Sequence, residues 1–278
     1  MSPGRDRMTL GLRSLSPRRR LFVVGLIAAV AVVVVVAVIS VISSGGNASQ
    51  NPPVAGTPAQ DRPGPVLLVP GYGGSTGSLS VLARRIRATG RVATVLHLPG
   101  KGTGSLIADA GVLNAAVNRA LRGGAPSVDV IGYSAGGVAT LAWAREDGGA
   151  HKARRVITLG SPFHGTQLAS AAEGFLPGAC PLACQQLVPG SPLLTRLDAT
   201  AVPGRPRWLS LWSTDDTTVT PPDSARLTGA LNVPIQSVCP AVQVSHSQLP
   251  TNPAVTAMVL QALRSGSVRT PTASDCRG

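Results

Sequence analysis

Ser134 lies in Gly132-Tyr133-Ser134-Ala135-Gly136, a serine with a glycine two residues to either side. This spacing suits a nucleophile held on a tight strand-to-helix turn, where glycines let neighbouring backbone crowd in and the hydroxyl stands at the apex. The chemistry it could do is attack on an acyl carbon. Spacing alone is weak, because Gly is 32 of 278 residues and a second match occurs at Gly73-Gly74-Ser75-Thr76-Gly77. Context separates the two. Val128-Asp129-Val130-Ile131 is a short β-branched run leading straight into Ser134, and Ala135 to Arg145 reads as the helix that leaves it. The N-terminus of that helix would lie under Ser134, where its N–H groups favour a developing oxyanion. Ser75 is cut off from its strand by Gly71 to Gly74 and reads as an accidental match.

A serine hydroxyl needs a neutral imidazole to take its proton, and the imidazole needs a carboxylate to fix its tautomer. Where such an elbow sits in an α/β sheet, the partners follow in the order Ser, acid, His. His246 follows the last expected strand and precedes the last helix, which fits that order. His164 precedes every strand-end acid that could orient it, and His97 has no neighbour that completes a site. The acid is expected in Ser213 to Val219, where Asp215 and Asp216 both qualify. Asp216 is favoured because Val219 can anchor the loop in the core while the carboxylate turns to His246. Asp223 reads as a helix cap. Gly71 lets the backbone bend close to a bound group, so the N–H of Tyr72 is the expected oxyanion donor from that loop.

The elements that must position these groups alternate. Strands are expected at 66–69, 91–98, 128–131, 154–159, 206–212 and 233–238, with helices at 78–89, 105–122, 135–145 and from 251 towards Gly266. In 105–122, Leu106, Ala110, Leu113, Val117 and Leu121 form an apolar stripe, with Asp109, Asn114, Arg119 and Arg122 expected to face away. This rhythm implies a mostly parallel sheet with helices on both faces, and a site at the carboxyl ends of the strands. Residues 166–197 break the rhythm and read as an insertion over that end, a possible cap with Phe175, Leu176 and Leu187 as an apolar mouth.

Outside this domain the sequence reads differently. Basic residues outnumber acidic ones 25 to 12, and Arg5, Arg7, Arg13, Arg18, Arg19 and Arg20 crowd the first twenty positions. Leu21 to Ile42 follows, an apolar run long enough as a helix to span roughly 33 Å. Residues 1–20 therefore read as a basic cytoplasmic tail, 21–42 as a transmembrane signal-anchor, 43–65 as a flexible linker, 66–266 as the folded domain and 267–278 as a loose polar tail. The charge bias puts the catalytic domain outside the cytoplasm, on the cell membrane, or secreted if the segment is a cleaved signal. Aromatic residues are only 3% and no nucleic-acid motif occurs, so nucleic acid is not an expected partner. Four cysteines in an exported chain suggest disulfides. Of three pairings, Cys180–Cys184 is local and leaves Cys239–Cys276. A zinc site is disfavoured, since the C-x-x-x-C has no His pair near it.

Together, Gly-Tyr-Ser-Ala-Gly-Gly at 132–137, Thr-Leu-Gly-Ser-Pro-Phe-His-Gly-Thr at 158–166, Asp216-x-x-Val219 and Val244-Ser245-His246 resemble the bacterial secreted triacylglycerol lipase/esterase family of α/β-hydrolases. The resemblance covers roughly 66–264. It implies an α/β-hydrolase fold and cleavage of ester or lipid substrates through an acyl-enzyme, with no metal or organic cofactor. It also implies Ser134 as nucleophile, Asp216 as acid, His246 as base, and the N–H groups of Tyr72 and Ala135 as oxyanion donors. Many relatives carry His before the oxyanion Gly, whereas this chain has Pro70. Two rival functions share the fold: an envelope acyltransferase using the same triad, and a catalytically silent binding protein.

Overall fold

The computed structural model describes residues 62–175, 178, 180–205 and 207–277. The expected basic tail, membrane segment and nearly all of the linker lie outside the described residues, as does Leu176. Among the described residues no helix is long and apolar enough to cross a membrane.

Six strands form one sheet: β1 (Val66–Val69), β2 (Ala93–Val95), β3 (Val128–Tyr133), β4 (Ala153–Leu159), β5 (Arg207–Trp212) and β6 (Leu231–Pro234). Their order is β2-β1-β3-β4-β5-β6, and every pairing is parallel. The order turns back once, between β1 and β3, and the crevice at such a switch point is where parallel sheets receive ligands. The strands are apolar on both faces because both are covered. Leu67, Val69, Val128 and Val130 pack on one side with α2 (Leu106–Arg122) and α3 (Ala135–Glu146). Val66, Leu68 and Ile131 pack on the other with α1 (Gly77–Arg87) and the last helix, α8 (Pro253–Ala262). Two of these helices start at polar caps: Ser105 Oγ accepts from the N–H of Ile107 at the start of α2, and Asn252 Oδ1 from those of Ala254 and Val255 at the start of α8.

Several expectations need correction. The strand expected over 91–98 is only Ala93–Val95. It is an edge strand whose one neighbour, β1, has four residues, so little ladder is available. The last strand is Leu231–Pro234 rather than 233–238, and Ile235–Val238 is a short helix, α7. Pro234 has no N–H to donate, which ends the ladder there. The 166–197 stretch, expected as an insertion, holds three helices among the described residues: α4 (Gln167–Phe175), α5 (Leu182–Gln186) and α6 (Pro192–Asp198). Asp109 does not face away: it is 2% exposed, one helical turn from Leu106 on the inward side of α2. Burial pushes its carboxyl up from an ordinary 3.8 to about 6. The tail is built, with a 3-10 turn at Ala273–Cys276. Asp223 lies within the 3-10 turn Pro222–Ala225, whose capping position is Pro221.

The end of the sheet opposite the site is held by a buried ion cluster. Asp129 of β3 receives Arg91 Nη2 at 2.7 Å and Arg154 Nη2 at 2.5 Å. The same arginines, with Arg155, donate to carbonyls at the end of α8: Arg91 and Arg154 to Leu263 O, and Arg155 to Ala262 O. Cations at a helix C-terminus also meet the negative end of its dipole. Burial, and then the neighbouring Arg154, lowers Arg155 to about 10.

Candidate active site

Ser134 stands between β3 and α3 with φ 54° and ψ −130°, a conformation sparsely populated for a residue with a side chain. Close packing holds it there. Its N–H donates to Leu159 O at 2.9 Å, and its own carbonyl accepts from the Gly137 N–H. A Cβ at Gly136 would lie 2.3 Å from Pro70 O, and one at Gly132 would lie 2.5 Å from Gly137 Cα. Both glycines of the motif are thus required by backbone crossing at van der Waals contact. The second match is different: Ser75 is exposed in the turn before α1.

His246 begins the 3-10 turn His246–Gln248, which Ser245 and Gln248 close with a capping box. Its Nε2 is 2.9 Å from Ser134 Oγ, and its Nδ1 is 2.6 Å from Asp216 Oδ2. The imidazole is 7% exposed and Asp216 is 3% exposed. The other oxygen of Asp216 accepts from the N–H groups of Thr218 and Val219, both at 2.8 Å. Those bonds aim Oδ2 at the ring, and a carboxylate at Nδ1 keeps the proton there and leaves Nε2 free to accept from Ser134. Asp215 does not reach His246. Its Oδ2 accepts from Gln236 Nε2 at 3.0 Å and from the Val244 N–H at 3.4 Å. It ties the acid loop to the segment leading to His246. His164 is exposed elsewhere, with Nε2 on Arg226 O and Nδ1 3.5 Å from Asp198.

The loop after β1 closes the other side. A Cβ at Gly71 would lie 2.8 Å from Ser134 Cβ, so the Gly71–Tyr72 backbone runs directly beside the hydroxyl. Among the described residues, neither the Tyr72 nor the Ala135 N–H donates to a protein acceptor. Both are available to an oxygen bound next to Ser134.

A cavity of about 280 Å³ opens at this point. Its walls carry Tyr72, Ser134 and His246, with Leu168, Ala169 and Leu187 from the 166–197 segment, so they are mostly apolar. Cys184 also lines it, and Cys184 is bonded to Cys180, as Cys239 is to Cys276. Of the expected apolar mouth, Leu187 is in place; Leu176 and the side chain of Phe175 lie outside what the structure describes.

Three contributors were not singled out from sequence. Tyr133 lines the cavity, its ring centroid is 5.2 Å from that of His246, and its hydroxyl donates to His246 O at 3.2 Å. Burial first, and Asp216 second, push this phenol up to about 12, so it is a neutral donor. Its place beside Ser134 in the motif was the available signal. Gly160, with φ 56°, leaves room for the imidazole, since a Cβ there would lie 3.1 Å from His246 Nδ1. Thr166 Oγ1 donates to Thr218 O at 2.7 Å and accepts from the Thr220 N–H at 3.2 Å, joining the start of α4 to the acid loop.

A parallel sheet covered on both faces, with a strained serine elbow at its switch point, defines the α/β-hydrolase fold class. Solved structures of that fold resemble this chain. Lipase B of Aspergillus fumigatus superposes with a TM-score of 0.62 at 20% identity, over 77% of this chain and 56% of that one. This chain therefore spans little more than half the length of that lipase. The lipase BlEst2 of Bacillus licheniformis in its mature form gives 0.52 at 20% identity, over 74% and 91%. Its propeptide form gives 0.61 at 19%, over 78% and 54%. At these identities the likeness is one of fold. No family model and no curated protein matches the chain.

Proposed function

We propose that the chain is a serine hydrolase that cleaves carboxylic esters, as a lipase or esterase, through an acyl-enzyme on Ser134. The observation that carries this reading is the unbroken hydrogen-bonded path from Ser134 Oγ to His246 Nε2 at 2.9 Å and from His246 Nδ1 to Asp216 at 2.6 Å. Ser134 Oγ attacks the ester carbonyl while its proton passes to Nε2. The carbonyl oxygen takes the negative charge and accepts from the N–H groups of Tyr72 and Ala135, donors typically worth about 3–4 kcal/mol each in the transition state. Asp216 stabilises the imidazolium. The C–O bond to the alcohol breaks as Nε2 returns the proton to the leaving oxygen. Water, deprotonated by the same nitrogen, then releases the carboxylic acid and restores Ser134.

The walls of the cavity favour an apolar acyl group. Tyr72, 45% exposed, and Leu168 stand at its rim, so lipid-like esters fit the reading. We also place the catalytic domain outside the cytoplasm, tethered by 21–42. Supporting this are the apolar run behind Arg18-Arg19-Arg20 and two disulfides, which persist in oxidising compartments.

The test is hydrolysis of p-nitrophenyl esters from acetate to palmitate by the full chain in a neutral detergent. Turnover should fall by at least about a thousandfold in Ser134→Ala. A folded, oxidised wild type that hydrolyses no ester but acylates an added alcohol would instead make it an acyltransferase.

A further inference from the structure

A second cavity, of about 730 Å³, lies along the flank made by α1, α8 and the C-terminal segment. It shares no lining residue with the cavity at Ser134. Four arginines line it: Arg85 from α1, Arg264 just past α8, and Arg269 and Arg277 from the tail. Among the described residues Asp275 is the one carboxylate in its lining. That carboxylate is already neutralised, accepting from Arg269 Nη1 at 2.9 Å and Nη2 at 2.8 Å and from the Thr272 N–H at 2.8 Å. Arg85 is fixed in place, its Nη1 donating to Thr251 O at 3.0 Å and Thr256 Oγ1 at 2.6 Å. The side chains of Arg264 and Arg277 are exposed and make no hydrogen bond or ion pair among the described residues.

The tail is built into a wall of this groove. The Cys239–Cys276 bridge pins it, and Thr272 and Asp275 close a capping box around its last turn. Asp275 offsets Arg269, and the three further cations lining the cavity are electrostatically unfavourable until another anion joins them. Planar guanidinium forks match the tetrahedral oxygens of a phosphate, which can accept from several of them at once.

We propose that this groove binds a phosphate group, carried either by a soluble phosphate ester or by an anionic phospholipid headgroup. Arg264 and Arg277 supply the free donors, and Arg85 the fixed positive field, while Arg269 offsets Asp275. The proposal does not depend on the chemistry at Ser134.

The experiment uses the full chain in neutral detergent micelles and follows its unfolding midpoint during titration with inorganic pyrophosphate, against sodium chloride at matched ionic strength. Pyrophosphate should raise the midpoint by roughly 2–4 °C at saturation. R264A/R277A should weaken pyrophosphate about tenfold or more. Among the described residues neither side chain has a partner to lose, so this variant should unfold like wild type without anion, and R264Q/R277Q serves as a second, longer substitution. Dihexanoyl phosphatidylglycerol, run beside dihexanoyl phosphatidylcholine, separates the sources. An arginine-dependent rise with the glycerol lipid alone of the pair assigns a lipid headgroup, and a rise with pyrophosphate alone assigns a soluble phosphate. No rise beyond sodium chloride, or an equal rise in the arginine variants, would overturn the proposal.

Discussion

The imidazole of His246 is held from several sides at once. Asp216 bonds its Nδ1, the Tyr133 ring packs against it, and the glycine at 160 leaves it just enough room. Only the first of these is part of the proposed proton path. The Tyr133 hydroxyl holds the backbone of His246 rather than its ring. Tyr133→Phe keeps the ring contact and removes that bond, which is worth about 0.5–1.5 kcal/mol. It should lower kcat for p-nitrophenyl butyrate by roughly 3–10-fold with KM little changed, read from initial rates. An equal loss in KM would mean that Tyr133 acts on the substrate instead. Choosing between Asp215 and Asp216 as His246's partner also belongs to this scale. The sequence offers both in one loop and favours Asp216 through the anchor at Val219; in the fold the N–H groups of Thr218 and Val219 hold one oxygen of Asp216 and leave the other for His246.

At the scale of elements, strand-to-helix alternation was legible because apolar runs and helical stripes mark what is buried. Element ends were not, because they depend on neighbours. β2 pairs with only three residues of the short β1, and β6 stops at a proline whose effect depends on which edge it meets. The 166–197 segment showed no periodicity because its three helices are short and face different surroundings: α4 and α5 reach the cavity, while α6 packs against α3 and α5. Asp109 escaped notice for a related reason: a carboxylate beside an apolar stripe reads as solvent-facing. Its carboxyl is raised to about 6, so the folded state holds the proton more tightly than the unfolded chain does. That contribution is fully present below the unfolded value of 3.8 and is lost as pH rises through about 6. At pH 7 Asp109→Asn should therefore stabilise the protein, by roughly 1–2 kcal/mol in urea unfolding, and the gain should vanish near pH 4. A gain independent of pH would place the cause elsewhere.

Across the whole molecule, two ends of one sheet do different work. The carboxyl ends carry the strained serine and its partners, on loops. The opposite end carries Asp129 and its buried arginines, which join β3 and β4 to the end of α8. Because α8 follows His246 in the chain, this clamp fixes the element that leaves the site. Asp129→Asn removes a counter-charge shared by Arg91 and Arg154, and breaking such a buried pair costs about 3–5 kcal/mol. Urea unfolding should show a loss of that size with Ser134 geometry unaffected in whatever remains folded, whereas a loss below about 1 kcal/mol would mean that water reaches the cluster. The measurement that tests the central claim most directly is covalent labelling of the full chain by a fluorophosphonate, with the site located by peptide mass spectrometry. The account predicts one adduct, on Ser134, lost in His246→Ala as well as in Ser134→Ala. A folded, oxidised protein that takes no label, or takes it on another serine, would contradict it.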